Sequence, residues 1–317
     1  MQGFDAEFRD LDHYIRVITD RIWEGRRIGD IERYYGAACA VETPGSVSIG
    51  TAPVIAGTLA TLLAFPDRRL LAEDVIVSGD ETGGFLSSHR IFSPMTHAGP
   101  GDFGRATGKA VFARTIADCV CINNRIVHEW LVRDQAAIAR QTGWHERDLA
   151  QRWLDARGGF NKPAMPPAPA PYQSFIDGQP LAQQFVQGYR QLWADGDTSA
   201  WAALRHPALI TALPGGEMAL SRVGAGDFWA GLLGALAPQH FEVQHLVARQ
   251  RPGRATALAM RWRAQTLHTG DGRYGSASGR PVELLGITHA EIEQGQVVRE
   301  WLLIDDVATW MQVLLPR

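Results

Sequence analysis

Two aspartates stand where a general base would be placed. Asp134 follows Trp130 by four residues at the end of the apolar run 125–133, and Asp305 follows Trp301 by four at the end of 297–304. On a regular strand, residues an even number apart share a face, so Trp130, Val132 and Asp134 fall together and Glu129 falls on the other side. If the Trp130 face is the concave one, the carboxylate lies among apolar groups. Desolvation then raises its proton affinity and makes it a better base near neutral pH. The alternative for either aspartate is a helix cap or a strand-end surface position; Asp305, with Asp306 beside it, precedes a helix expected over 307–314.

Other residues could assist. His97 and His268 each end a strand before a glycine-rich turn, where the imidazole could hold a substrate carbonyl or an enolate, or tie the turn to the backbone. Arg90 and Arg261 precede aromatic residues and could bind a substrate carboxylate or phosphate, or pair with Glu129 or Glu300 on the sheet. The chain has 10 tryptophans. Most should be core, while Trp23, Trp130, Trp193 and Trp301 are candidates to line a pocket for a flat, ring-bearing substrate. His89, His245 and Arg263 have no matched histidine or arginine in the other half. They mark where two pockets would have diverged. No His-Glu-x-x-His or Cys-x-x-Cys spacing suggests a metal, and no Gly-x-Ser-x-Gly suggests a serine nucleophile. The glycine-rich turns lack the strand-to-helix context of a nucleotide loop. The expectation is chemistry without metal or cofactor.

The elements that carry these residues occur twice. His97-Ala-Gly99-Pro-Gly101-Asp-Phe103-Gly104 returns as His268-Thr-Gly270-Asp-Gly272-Arg-Tyr274-Gly275, and Val127-His128-Glu129-Trp130-Leu131 returns as Val298-Arg299-Glu300-Trp301-Leu302. The offset, 268 minus 97, is 171 positions with no gap. A period that long means two copies of a whole domain rather than a solenoid. In each copy a helical stretch comes first (8–35 and 181–204), then a short irregular and helical stretch, then antiparallel strands (74–80, 84–96, 110–121 and 125–133, against 242–249, 256–267, 282–292 and 297–304). That order predicts an α+β fold in tandem repeat, each domain a curved antiparallel sheet packed on helices with a pocket between them. The proline-rich run 161–171 reads as a semi-rigid linker. The expected divisions are 1–158, a linker over 159–174, and 175–317, with the helix 145–157 in the first half or bridging the two.

A net charge of −3, with no long basic run, argues against nucleic acid as a partner. No apolar stretch has membrane-spanning length and no basic-then-apolar leader opens the chain, which suggests a cytoplasmic protein. Cys119 and Cys121 alternate on a strand and read as small core residues.

Taken in order, Trp23, Phe65-Pro66-Asp67, Thr96-His97-Ala-Gly99, Phe103-Gly104, Thr107-Gly108-Lys109 and Ile126-Val127-x-x-Trp130-x-x-x-Asp134 resemble the SnoaL-like polyketide cyclase, or ester cyclase, group of the NTF2-like superfamily. The likeness covers most of 8–140. Residues 181–315 are similar with fewer of the motif residues: no Phe-Pro-Asp, Leu267 for the threonine, Ser278 for Thr107. The resemblance implies cone-shaped α+β domains with an apolar pocket and cofactor-free acid/base catalysis, as in a cyclase, isomerase or lyase acting on a carbonyl-containing small molecule. Asp134 would be the base and His97 or a backbone donor would hold the enolate. The better-formed polar pocket would lie in the first copy. One departure stands out: where the family often reads Glu-His-Trp, this chain reads His128-Glu129-Trp130 and Arg299-Glu300-Trp301. The pocket histidine is thus replaced by glutamate in both halves. A binding protein without catalysis is the alternative on this fold. Domains of this group often pair through their sheets, so an intrachain pseudo-dimer is expected, and a homodimer of the chain stays open.

Overall fold

A computed structural model of the chain describes residues 1–316. The described residues divide into two compact units. In unit 1, α1 (Leu11–Thr19) runs into a wide π-helical turn (Asp20–Glu24), followed by α2 (Asp30–Tyr34), β1 (Tyr35–Thr43), β2 (Ser46–Ile49), α3 (Thr51–Ala64), β3 (Leu71–Asp80), β4 (Gly84–Thr96), β5 (Ala110–Ile122), β6 (Arg125–Arg133) and α4 (Gln135–Thr142). α5 (Glu146–Arg157) comes next. Unit 2 then repeats the plan with α6 (Pro180–Asp195), α7 (Thr198–Ala203), β7 (Arg205–Leu213), β8 (Glu217–Ala219), α8 (Arg222–Ala235), β9 (Leu236–Arg249), β10 (Thr256–His268), β11 (Pro281–Glu293), β12 (Gln296–Leu303) and α9 (Asp306–Val313).

The two six-stranded sheets have the same order, β2-β1-β6-β5-β4-β3 and β8-β7-β12-β11-β10-β9. The tandem α+β repeat expected from the sequence is therefore present, with two further strands at one edge of each sheet, β1 and β2 in unit 1 and β7 and β8 in unit 2. β1 and β7 run parallel to β6 and β12, pairing Tyr35 with Ile126 and Arg205 with Val297. Each sheet is thus mixed rather than wholly antiparallel. β1 reads Tyr-Gly-Ala-Ala-Cys-Ala-Val-Glu-Thr, mostly small residues with weak strand preference; ladder hydrogen bonds and burial hold it, and neither is visible in local sequence.

Local signals hold elsewhere. The Asp10 side chain caps α1 by accepting the His13 N–H at 2.7 Å. Leu11, Tyr14, Ile15 and Ile18 put one face of α1 in the core. Asn123–Asn124 and Gln294–Gly295 turn between their strands with positive φ (47° and 65°; 49° and 79°), the backbone that tight hairpins need. Cys119 and Cys121 lie in the unit 1 core.

Unit 1 is Met1–His145 with Asn161–Ser174, and unit 2 is Glu146–Phe160 with Phe175–Arg317. The boundaries read from sequence differ from this. α5 packs on α9 and belongs to unit 2. The proline-rich run belongs to unit 1, where Lys162 Nζ meets the buried Glu42 at 2.8 Å. From Phe175 the chain joins unit 2, with Asp177 accepting the Ala248 N–H at 3.0 Å. Tertiary pairing sets these divisions, and composition alone does not reveal it. Among the described residues no helix is long and apolar enough to cross a membrane.

Candidate active site

Unit 1 encloses a cavity of about 430 Å³ between its sheet and α1 and α3. Strand parity decides which side chains enter it. On β6, Glu129, Leu131 and Arg133 line the cavity, and on β5, Thr115, Ala117 and Cys119 do. His89 and Ile91 of β4, Tyr35 and Val41 of β1, Trp23 from the π-turn, and Arg68 from the α3–β3 connection complete the wall the chemistry needs. The inner face of β6 is therefore the Glu129 face, not the Trp130 face.

Glu129 is 5% exposed. Burial pushes its carboxyl up to about 7, against a hydrogen bond with Tyr35 and the field of Arg133, both of which lower it. His89 is 3% exposed; burial, then Arg16 and Arg90, push it down to about 3, so its ring is neutral. Its Nε2 has no hydrogen-bond partner, nor does Thr115 Oγ1. Burial likewise raises the Cys119 thiol, which stays protonated. A carboxylate that titrates near neutrality beside neutral donors can take a proton from carbon and return it.

The residues singled out from sequence lie largely elsewhere. Asp134 is buried but absent from the cavity wall; it caps α4, accepting the Ala137 N–H at 2.9 Å. Asp305 caps α9, accepting from Val307 and Ala308 at 3.0 and 3.1 Å. Both perform the structural role that the sequence left as the alternative. His97 Nδ1 meets Thr107 Oγ1 at 3.1 Å and His268 Nδ1 meets Ser278 Oγ at 2.9 Å, so each histidine ties down its turn. The turn glycines are explained by close backbone approach. A Cβ on Gly99 would lie 1.8 Å from the Leu63 carbonyl oxygen, and one on Gly270 1.7 Å from that of Gly234. Arg90 shares the face opposite His89 and pairs with Glu73 at 3.2 Å, not with Glu129. Arg261 is buried beside His245, its register partner on β9. Trp130 is on the far face of β6, its ring 4.3 Å from that of His128. Trp301 alternates with Glu300 in the same way. Of the tryptophans proposed for a pocket, Trp23 lines the cavity and Trp193 fills the core of unit 2. Among the described residues no three His, Cys, Asp or Glu side chains gather as a metal site.

Unit 2 fills the corresponding space. Position by position, Trp229 replaces Thr58, Trp262 replaces Ile91, and Met260 replaces His89. Trp193, Trp229 and Trp262 pack together with centroids 5.4 to 6.4 Å apart, and Phe241 stacks on Trp193 at 5.5 Å. The register that pairs Ile91 with Thr115 pairs Trp262 with Gly286, and a Cβ there would lie 2.1 Å from the indole. Glycine is what lets the ring in. Glu300, the counterpart of Glu129, is neutralised: Arg205, standing where unit 1 has Tyr35, grips it at 2.6 and 3.2 Å, and the Tyr189 hydroxyl donates to it at 2.7 Å. That arrangement is a buried ion pair, not a poised base.

The SnoaL-like polyketide cyclase family profile matches residues 14–142 and again 183–313. The chain therefore belongs to that family, and its two units are tandem NTF2-like domains. Among solved structures it is similar to IdmH from Streptomyces antibioticus (17% identity, 42% of this chain and 97% of that one, TM-score 0.37). It is also similar to a SnoaL-like protein from Jannaschia sp. CCS1 (18%, 44% and 99%, TM-score 0.37). No curated protein matches its sequence.

Proposed function

We propose that unit 1 is an acid/base enzyme that takes a proton from the carbon beside a carbonyl group in a flat, ring-bearing small molecule, with Glu129 as the base. The observation that carries this reading is a fully buried carboxylate, pushed up to about 7, in a cavity of about 430 Å³ walled largely by apolar groups. A buried carboxyl without a cation on it is costly to ionise, and such groups persist where they serve chemistry. In the first step the C–H electron pair moves into the carbonyl, the proton goes to Glu129, and an enolate oxygen forms. The neutral His89 ring, able to donate from Nε2, is the group available to hold that oxygen. Cyclisation, isomerisation and elimination share this step and diverge after it. Unit 2, with its space filled and its glutamate paired, is a structural copy.

The test is hydrogen–deuterium exchange at the α-carbon of 2-tetralone in D2O, followed by NMR. Wild type should accelerate exchange, and Glu129→Gln, which keeps shape and the Tyr35 hydrogen bond, should lose on the order of a hundred- to ten-thousand-fold. Equal rates for the two proteins would remove Glu129 as the base and leave a binding protein.

A further inference from the structure

Arg68 has no role in the proton transfer just described, yet it is 6% exposed and lines the cavity. Its guanidinium makes no hydrogen bond or ion pair with any described residue. Glu24, the acid that eases its charge, is engaged by the Leu70 N–H at 2.5 Å and by Arg69 at 3.3 Å. A second guanidinium, that of Arg133, lies close enough to act against it. Arg68 is thus buried beside a like charge, and taking its guanidinium out of water without supplying an anion is expensive. Hydroxyl donors share the place. Arg68, Ser93, Thr115 and Arg133 surround a side void of about 10 Å³, roughly one water in size. Ser93 Oγ and Thr115 Oγ1 are buried without partners.

Unit 2 supplies an internal control. At the matched positions it has Gln239 for Arg68, Ala264 for Ser93, Gly286 for Thr115 and Ile304 for Arg133. Both guanidinium groups and both hydroxyls are gone while sheet order and register persist. The fold does not need them; the cavity-bearing unit has them.

We propose that this end of the cavity is a carboxylate seat: the substrate of unit 1 is a keto acid, whose carboxylate is held by Arg68 and Arg133 with the Thr115 hydroxyl while its carbonyl end faces Glu129. The orientation rests on the reading of Glu129 as base; the seat does not. Planar guanidinium groups suit a carboxylate because each can offer two parallel N–H donors.

The experiment is calorimetric titration of the full chain with 2-naphthoate and its neutral isostere 2-naphthamide. Wild type should prefer the acid by on the order of ten- to a hundredfold, the range of charge-assisted hydrogen bonds. Arg68→Gln, the residue unit 2 carries, should bind the amide about as before and lose the preference; Arg68→Met is a second uncharged variant. Glu129→Gln should keep the preference. Wild type binding both probes alike, favouring the amide or binding neither, or Arg68→Gln keeping the full preference, would overturn the seat. If exchange at carbon fails but the preference holds, the base assignment falls alone. If the preference fails while exchange runs, only the seat falls.

Discussion

Glu129→Gln should make the protein more stable, and only above a defined pH. The Glu129 carboxyl stands at about 7 in the folded chain against an ordinary 4.5. The folded state therefore binds more protons than the unfolded state between those values, and its stability falls as pH rises through that window. The difference of roughly 2.5 pH units, at 1.36 kcal/mol each, makes the ionised glutamate cost about 3 kcal/mol at pH 8 and nothing below pH 4.5. Glutamine cannot ionise, fits the same space and can still accept from Tyr35. Urea unfolding followed by tryptophan fluorescence at pH 5, 6, 7 and 8 should show the two proteins close together at pH 5. By pH 8 the variant should lead by about 3 kcal/mol. A gap that is the same at every pH, or a variant less stable at pH 8, would refute the claim that burial and not pairing governs this carboxyl.

His89 should act in the opposite sense. Held at about 3 in the folded chain against 6.5, it costs stability as pH falls from 6.5 toward 3, and His89→Met, the residue of the second copy, should flatten that acid limb in a thermal melt series. Asp134→Ala removes the α4 cap and should lower stability by about 1 kcal/mol in denaturant titration while α-exchange of 2-tetralone continues; loss of exchange with stability intact would return Asp134 to the chemistry. Gly286→Ala puts a methyl where Trp262 packs and should destabilise unit 2 by about 1–3 kcal/mol, whereas an unchanged melt would show that the indole is free to move.

Much of this was legible in the chain. The gapless repeat established two copies of one domain, and the order of helical and strand signals established an α+β plan. The turns at Asn123–Asn124 and Gln294–Gly295 were marked by residues that tolerate left-handed backbone. Strand parity correctly separated Glu129 from Trp130. Parity does not say which face is inner, and the choice of Trp130 as the inner residue drew Asp134 into a site it does not line. The available signal was chemical: glutamate in place of the resemblance's pocket histidine. Arg68 sits in a connection with no periodic pattern, and His89 stands out in sequence only by lacking a partner histidine in the repeat. Tyr35 and Thr115 acquire meaning from the cavity, which strands well separated in sequence build together. β1 escaped because its small residues express no preference of their own.

The central claim is that a cavity glutamate, rather than the strand-end aspartate, is the base. Its most direct test is the pH dependence of α-proton exchange in 2-tetralone for wild type. Exchange should rise with pH through a single ionisation near 7, the value at which Glu129 gives up its proton, and then level off. A profile that is flat from pH 5 to 9, or that breaks near 4 as an unburied carboxyl would, contradicts the account.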